Sequence, residues 1–257
     1  MDAPELTWDD VIVPDWPAPP WVRACTTTRR GGESAGAFAS LNLATHVGDD
    51  PAAVAANRAR LRAGLGLPAE PAWLAQVHGC EVAPLETAAD GGAPPMADAA
   101  LTRGRGCVCA VLTADCLPLL LCDRGGRVCA AVHAGWRGLH RGVIEATLAR
   151  LGCPPASVLA WLGPAIGPRR FEVGPEVRAA FLAQDAGAAE AFRPGVGERW
   201  LADLYALARR RLAAAGVRDV SGGGLCTASE AARFYSYRRD GRTGRMATLI
   251  WLAADGG

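Results

Sequence analysis

Two histidines and one cysteine form a candidate metal site in this chain. His78 stands in the segment QVHG, Cys116 ends the segment TADC, and His133 begins the segment HAGWRG, each where a predicted strand meets a turn or loop. Catalytic groups are often found in such loops. Two imidazoles and one thiolate, with a fourth position free for water, describe a catalytic zinc site, in which the pKa of the bound water falls to about 7. The residue types therefore indicate metal chemistry.

Other interpretations of these three residues stay open from the residue types and spacing. Their spacing matches no local zinc-finger pattern, and a cysteine in an apolar strand is most often a packing residue. A blue-copper site uses the same ligands with an axial methionine, for which Met96 and Met246 are the candidates. A Cys116–His133 nucleophilic dyad without metal is a further alternative. A multicopper site needs more imidazoles than the four histidines of the chain.

A predicted β-hairpin between residues 107 and 136 would bring two of the three side chains together. Two apolar runs flank DRGGR at residues 123–127, a polar turn with paired glycines. Placing Cys122 opposite Val128 puts Cys116 within one register step of a position opposite His133. Since proline donates no hydrogen bond to a sheet, Pro118 must then lie at an edge or a bulge.

Further strands and helices are predicted before and after this hairpin in the sequence. Strands are expected at residues 21–27, 158–163 and 246–252, and extended structure is expected at residues 73–85. A helix begins at Asp50-Pro51, which are favourable N-cap and N1 residues, and runs to about Leu65 before Gly66. Other helices are predicted from Gly138 to Gly152, from Pro175, and over residues 201–215. Strands and helices mixed in this way predict an α/β fold with a mixed sheet.

Composition excludes several classes of protein. The 257 residues include 27 arginines and no lysine, so a Schiff-base lysine, a Walker A loop and a Ser-Lys dyad are all impossible. With 26 acidic residues the charges nearly cancel, which argues against a nucleic-acid or membrane surface. The acidic start is not a signal peptide, and the apolar stretch 107–122 is too short and broken to span a bilayer. Nine cysteines without a regular spacing indicate reduced thiols, so we expect a cytoplasmic protein.

Eight segments along the chain carry a resemblance to a known family. In order they are TTTRRGG (26–32), SLNLATHVGDDP (40–51), QVHG (76–79), ADAALT (97–102), TADCLPLLL (113–121), HAGWRGL (133–139), GPAIGPRRFEVG (163–174), and CT (226–227) with FYSYRRDGRTGRMA (234–247). These segments resemble the YfiH-like, or laccase-domain, family, formerly labelled polyphenol oxidase and now described as purine nucleoside phosphorylases. They are distributed in order along nearly the whole chain.

The resemblance implies one laccase domain over residues 1–257. Its fold would be α/β (α+β), with mixed β-sandwich sheets flanked by helices, as in YfiH and CNF1. It implies one Zn²⁺ ion, rather than copper, held by His78, Cys116 and His133, which would be both metal ligands and catalytic residues. The implied activity is phosphorolysis of adenosine, inosine, guanosine and S-methyl-5′-thioadenosine, together with adenosine deamination. The partners would be a purine nucleoside and phosphate, without nucleic acid or membrane, in a monomer or a homodimer.

Other functions remain open beside this one. Some relatives are peptidoglycan-editing factors that remove a misincorporated L-serine, and a metal hydroxide could cleave that amide. A copper-dependent polyphenol oxidase and a non-catalytic metal-binding or redox protein are the remaining alternatives.

Substrate-binding residues are predicted from side-chain chemistry. Arginine forks suit phosphate, and polar amides suit a sugar or a base. The substrate-binding residues expected on this ground are Arg30, Asn42, Gln76 and Arg137, with Arg238 or Arg239 as further phosphate candidates. Asp115 is either a proton carrier or a residue that orients its loop, and His46 is a candidate pocket residue. Phe234, Tyr235 and Tyr237 could stack on a purine or fill the core, and His140 is expected at the surface.

Overall fold

A computed structural model describes residues 6–86 and 92–254. Its strands are β1 (Val11–Ile12), β2 (Val22–Thr27), β3 (Val82–Leu85), β4 (Ala99–Thr102), β5 (Val108–Thr113), β6 (Leu117–Asp123), β7 (Cys129–Ala134), β8 (Val158–Leu162), β9 (Glu172–Val173), β10 (Phe192–Pro194), β11 (Trp200–Ala202), β12 (Asp219–Gly222) and β13 (Met246–Leu252). Its α-helices are α1 (Pro51–Leu65), α2 (Trp136–Arg141), α3 (Val143–Leu151), α4 (Pro175–Gln184), α5 (Leu204–Ala214) and α6 (Tyr237–Asp240). Short 3₁₀ helices cover Trp8–Asp10, Gly36–Phe38, Pro155–Ser157 and Ala186–Ala191.

Two sheets packed face to face form the centre of the molecule. The larger has the strand order β12-β8-β6-β7-β4-β3 and is mixed, because β12 is parallel to β8 and β3 is parallel to β4. The smaller is antiparallel, with the order β1-β2-β13-β5. Buried side chains of both sheets, such as Leu120 and Ile250, meet in one cluster between them. A separate small sheet has the order β10-β11-β9.

Helices cover the outer faces of both sheets. Residues of α3, α4 and α5 pack against the larger sheet, and α1 packs against the smaller one through Leu61 and Leu65. Strand β6 therefore has partners on both faces, since Leu119 and Leu121 contact the helical side while Leu120 and Cys122 contact the other sheet. This arrangement confirms the predicted α/β fold with mixed sandwich sheets flanked by helices. No helix in the described part of the chain is long and apolar enough to cross a membrane.

Local signals located several elements correctly. Helix α1 begins after Asp50, whose carboxylate accepts a hydrogen bond from the Ala52 amide, and it ends at Gly66, which has a left-handed φ of 60°. The helix expected from Gly138 to Gly152 is in fact two helices. Gly142 has a φ of 98°, which interrupts the backbone between α2 and α3.

The hairpin exists, but its predicted register was wrong. Cys122 pairs with Cys129, not with Val128, and Pro118 pairs with His133, so Cys116 lies just before β6 rather than opposite His133. The reason is the turn, since Asp123 joins the strand and its carboxylate accepts the amide hydrogens of Arg127 and Val128. Residues 124–128 therefore form the loop, which is as long as the predicted turn but begins one residue later in the chain.

Pro118 was also misplaced by the prediction, because β6 is bordered by β7 on one side and β8 on the other. The proline is tolerated at the second residue of the strand. The Pro118 carbonyl accepts the Gly163 amide hydrogen. Because proline has no N–H to donate in return, the Gly163 carbonyl instead accepts a hydrogen bond from the Tyr205 hydroxyl at 3.1 Å.

Candidate metal centre

Three chain segments place His78, Cys116 and His133 side by side. His78 lies in the loop before β3, Cys116 immediately precedes β6, and His133 lies near the end of β7. Their ligand atoms all lie within 4.8 Å of one another, and Cys116 Sγ is 3.8 Å from His78 Nε2. Within the described ranges this is the one cluster of at least three such ligands. The sequence prediction that these residues converge is thus supported by geometry.

The distance between two of the three donors suits a tetrahedral ion. Zinc–sulfur and zinc–nitrogen bonds of about 2.3 and 2.1 Å separate a sulfur and a nitrogen ligand by about 3.5 Å. The observed 3.8 Å between Cys116 Sγ and His78 Nε2 is close to this value. Since the chain supplies three donors, the fourth position of such an ion would face the adjoining cavity.

Asp98 organises the cluster, although sequence reasoning gave it no role. Its carboxylate is buried and accepts a hydrogen bond from His133 Nδ1 at 2.8 Å. It also accepts the backbone amide hydrogens of Val77, His78 and Gly79, at 3.2, 2.9 and 2.6 Å. The Asp98 carboxylate therefore orients the His133 ring directly and also holds the loop that carries His78. In that loop His78 has a φ of 60°. The available signal was an aspartate directly before a fully buried strand.

Ionisation in the metal-free cluster favours a thiolate beside an imidazolium. Burial raises the pKa of Cys116, but the charge and hydrogen bonds of His133 and His78 outweigh it and bring that pKa to about 6. Burial lowers the pKa of His133, but the Cys116 charge and the Asp98 hydrogen bond bring it to about 9. The pKa of Asp98 is lowered, because hydrogen bonds from His133 and from the Gly79 and Val77 amides outweigh burial. A negative sulfur is the form that binds metals.

A cavity of about 240 Å³ opens from the cluster. It is lined by His46, Gln76, His78, Leu112, Thr113, Ala114, Cys116, His133, Tyr237 and Arg245. All three candidate ligands border it, and none of the lining residues is a carboxylate. Of these lining residues, Tyr237 is 62% exposed. A ligand in this cavity would lie beside the metal position and could contact both polar and apolar lining residues.

Comparison with known proteins identifies the family. A family model described as "Multi-copper polyphenol oxidoreductase laccase" matches residues 23–253. The protein named "Purine nucleoside phosphorylase PA4543" from Pseudomonas aeruginosa is 56% identical over 242 residues, which cover 94% of this chain and 98% of that protein. "Purine nucleoside phosphorylase YfiH" from Escherichia coli K12 is 54% identical, with the same coverage of both chains. The chain belongs to the YfiH-like family.

Solved structures of the YfiH-like type agree with the fold described above. Neisseria meningitidis protein NMB0706 has a TM-score of 0.91 and 49% sequence identity, and the match covers 95% of this chain and 100% of that one. YlmD from Geobacillus stearothermophilus has a TM-score of 0.85 and 32% identity, with coverage of 92% and 94%. The resemblance seen in the eight sequence segments is confirmed.

Of the substrate-binding residues predicted for this YfiH-like chain, only Gln76 reaches the cavity. Its side-chain amide pairs with the Leu112 backbone, accepting from Leu112 N at 2.7 Å and donating to Leu112 O at 2.9 Å. Gln76 therefore anchors the His78 loop to β5. Asn42 is fully buried away from the cavity lining. The side-chain NH₂ group of Asn42 donates to the Ala44 carbonyl and the Asp49 carboxylate. Its side-chain oxygen accepts the backbone N–H groups of Ala44 and Arg245.

The two arginines predicted to bind phosphate do not line the cavity beside the cluster. Arg30 is exposed, and its Nε donates to the Ala232 carbonyl at 2.9 Å. Arg137 is exposed on α2 and stacks on the Trp136 ring, with its guanidinium carbon 4.5 Å from the ring centroid. Neither lines the space beside the cluster. Arg30 precedes two glycines and Arg137 follows His133 by four residues, but this closeness in sequence does not bring either side chain into the cavity lining.

Arg238 and Arg239 serve the fold instead of the cavity. The Nη1 of Arg238 donates to the Glu172 carbonyl, and Arg239 pairs with Asp240 and donates to the Thr227 and Phe234 carbonyls. Asp115 has a φ of 93°, and its carboxylate accepts from the Thr227 hydroxyl and the Arg238 amide. These contacts support the loop-orienting interpretation of Asp115.

The aromatic residues predicted as stacking candidates divide into two groups. Phe234 and Tyr235 are fully buried in the core, while Tyr237 is exposed and lines the cavity. His46 also lines the cavity, as predicted. His140 is partly buried rather than on the surface, because its ring packs edge-on against Phe181 at 5.5 Å between centroids.

Gly135 allows the ligands to approach, which gives a testable prediction. A Cβ at this position would lie 2.9 Å from Cys116 Sγ and 3.2 Å from His78 Cδ2, although the backbone φ of −62° suits any residue. Gly135→Ala should therefore displace the ligands and weaken zinc affinity about 10- to 100-fold, as displaced outer contacts do in metal sites. Competition with a chromophoric chelator measures the affinity. Thermal unfolding of the metal-free variant separates this local effect from a general loss of stability, and unchanged zinc affinity would contradict the prediction.

Proposed function

We propose that this protein is a zinc-dependent purine nucleoside phosphorylase, with the zinc held by His78, Cys116 and His133. Relatives at 56% and 54% identity over nearly their full lengths are named purine nucleoside phosphorylases. The observation that carries the proposal is the cavity that adjoins three converging ligands, because a substrate bound there would lie next to a metal held by them. The partners are then a purine nucleoside and inorganic phosphate.

The donor set supports zinc more strongly than copper. A blue-copper site needs a weak axial ligand, usually methionine, and neither methionine considered for that role lines the cavity. Met96 is 69% exposed, while Met246 is buried and its sulfur accepts the Tyr235 amide hydrogen. Of the two histidines outside the cluster, His140 packs on Phe181, and His46 alone lines the cavity. These placements disfavour the multicopper chemistry in the family model's description.

The side chains of the metal centre have separable tasks in this proposal. When bound, the zinc would supply a Lewis acid that polarises an oxygen atom in the cavity. Asp98 keeps the proton of His133 on Nδ1, which leaves Nε2 as the metal-binding atom. Asp98 also holds the His78 loop through three amide hydrogens. The centre is thereby rigid before any ligand binds.

Phosphorolysis at this cavity is a substitution at the ribose. An oxygen of phosphate forms a bond to C1′, the C1′–N9 bond breaks, and its electron pair leaves with the purine, which takes up a proton. Adenosine deamination would use the same cavity, with water adding at C6 and ammonia leaving from it. Zinc deaminases use a glutamate to carry the proton. Here no carboxylate lines the cavity in the described residues, so His46 or Tyr237 would carry it.

We also place the protein in the cytoplasm. All nine cysteines are free thiols, including the buried Cys109, Cys122 and Cys129. Unpaired cysteines in this number suit a reducing compartment.

The test combines metal analysis with product analysis. Protein purified without added metal should contain about one zinc per chain, and the zinc-loaded protein should convert adenosine and phosphate to adenine and ribose 1-phosphate. Inosine formed without phosphate would support the deaminase activity. If zinc-loaded protein forms neither product, the nucleoside proposal is wrong, and release of serine from a cell-wall precursor would then favour the editing hydrolase.

A further inference from the structure

Because the chain contains no lysine, arginine is the permanently charged cationic side chain that it can offer to an anionic substrate. Arg245 is the arginine that lines the cavity beside the metal cluster. Sequence reasoning passed over it in favour of Arg30 and Arg137, which face elsewhere. Its position is nevertheless marked in the sequence, since Arg245 directly precedes the central strand β13.

The backbone and guanidinium of Arg245 are both held in place. The backbone N–H donates to Asn42 Oδ1 at 3.0 Å, and Asn42 is itself fixed by Ala44 and Asp49. The Nη1 of Arg245 donates to the carbonyls of Thr243 and Gly244 at 2.9 and 3.0 Å. Little side-chain entropy remains to be lost when this group binds a ligand.

The other edge of the Arg245 guanidinium has no partner in the described part of the chain. Its Nε and Nη2 make no hydrogen bond there, and no carboxylate lies within salt-bridge distance. The neighbouring Asp115 carboxylate is already bonded to the Thr227 hydroxyl and the Arg238 amide. Other arginines, such as Arg210 and Arg239, have a carboxylate partner.

The Arg245 guanidinium is partly buried, and the Cys116 and Asp115 charges act on it without a direct hydrogen bond or salt bridge, so a bound anion would offset the cost of burying its charge. A planar guanidinium edge with free N–H groups matches the paired oxygens of a phosphate group, and such charge-assisted hydrogen bonds are among the strong ones. His46 also lines this cavity and offers a further ring nitrogen, and the three candidate metal ligands line it as well. An oxyanion bound here would sit between Arg245 and the metal position.

We propose that the free edge of Arg245 is the phosphate-binding group of this cavity and that Asn42 positions it. The identity of the anion as inorganic phosphate rests on the proposed phosphorylase function. The placement of an oxyanion site rests on the geometry alone. Asn42, predicted from sequence to touch the substrate, acts instead through Arg245, because its side chain is buried and fully hydrogen-bonded.

The direct test measures inorganic phosphate binding to the zinc-loaded protein by calorimetry, without nucleoside. Arg245→Gln should raise the Kd for phosphate about 10- to 100-fold, the cost of one or two charge-assisted hydrogen bonds. Arg245→Lys should recover part of the affinity, since it restores the charge but not the fork. Arg242→Gln is the matched control, because Arg242 lies in the same loop and donates to the Gly48 carbonyl outside the cavity. Equal Kd values for wild type and Arg245→Gln would overturn the proposal.

Kinetics then separates this proposal from the function on which it rests. If the wild type phosphorolyses adenosine, Arg245→Gln should raise the KM for phosphate at least about tenfold while zinc content and the KM for adenosine stay near wild type. An unchanged KM for phosphate would reject the subsite and leave the phosphorylase function standing. Phosphate binding that is lost in Arg245→Gln, in a protein that cleaves no nucleoside, would keep the subsite and reject the function.

The positioning role of Asn42 has its own readout. Asn42→Ala should raise the KM for phosphate with the same zinc content, because the backbone of Arg245 loses its acceptor. An effect on the KM for adenosine alone would contradict the role of Asn42 in positioning Arg245. Partial recovery in Asn42→Asp, which restores the acceptor oxygen but loses the amide donors, would distinguish positioning from a general loss of packing.

Discussion

Cys116→Ala should purify with less than about a tenth of a zinc ion per chain and lose phosphorolysis by more than about 1,000-fold, which corresponds to about 4 kcal/mol of transition-state stabilisation. The reason is that the thiolate is the one sulfur ligand and the one negatively charged ligand of the cluster. Two imidazoles alone leave a weak site, because the affinity of a metal site depends on its ligand number and geometry. Elemental analysis and product chromatography measure the two effects.

Cys153→Ala is the matched control for this substitution. Cys153 is also a partly buried free thiol, but it follows α3, away from the cluster, and it packs against the core on the helical side of the larger sheet. Its replacement should leave the zinc content and the activity unchanged. Full activity of metal-free Cys116→Ala would contradict the zinc mechanism, whereas wild-type zinc content in that variant would reject Cys116 as a ligand.

Asp98→Asn should have the second-largest effect, and on two separate quantities. The zinc affinity should fall about 10- to 100-fold, because the neutral amide no longer fixes the His133 tautomer. The free energy of unfolding of the metal-free protein should fall by about 3 kcal/mol, because a buried partner of an imidazolium and of three amide hydrogens is removed. Chelator competition and urea unfolding, respectively, measure them.

Asp123→Asn provides the comparison for the Asp98 variant. Asp123 is also fully buried, and it accepts the backbone amides of Arg127 and Val128 in the hairpin turn. Its replacement should lower stability while zinc affinity stays the same, because the turn lies at the opposite end of β6 and β7 from the cluster. If Asp98→Asn kept wild-type zinc affinity, the carboxylate would stabilise only the loop and not the metal centre.

The cluster is a product of the sandwich topology. Cys116 and His133 stand at the same end of the paired strands β6 and β7, and Asp98, just before β4, borders β7 on its other side. His133 N donates to the Asp98 carbonyl at 2.7 Å, which extends the sheet to the metal position. His133 lies within strand β7 and Cys116 directly precedes β6, so the sheet holds two of the three ligands, whereas His78 comes from the loop before β3. This loop is in turn fastened by Asp98 and Gln76.

Local chemistry was enough to predict several features from the sequence. The capping residues Asp50 and Gly66 located helix α1, and the polar turn between two apolar runs predicted the hairpin. Three metal-binding residue types at strand ends indicated the centre, and eight motifs along the chain indicated the family. These inferences succeeded because each depends on neighbouring residues or on a pattern over the whole chain.

Which polar side chains face the cavity was decided by the tertiary structure alone. The Arg30 and Arg245 side chains are identical, and only long-range contacts place one against the Ala232 carbonyl and the other in the cavity. The hairpin register depended on one aspartate joining the strand instead of the turn. The role of Asp98 depended on hydrogen bonds to a loop about twenty residues away in the chain. Residue type sets the chemistry a side chain can perform, but its partners are chosen by packing, which no local pattern encodes.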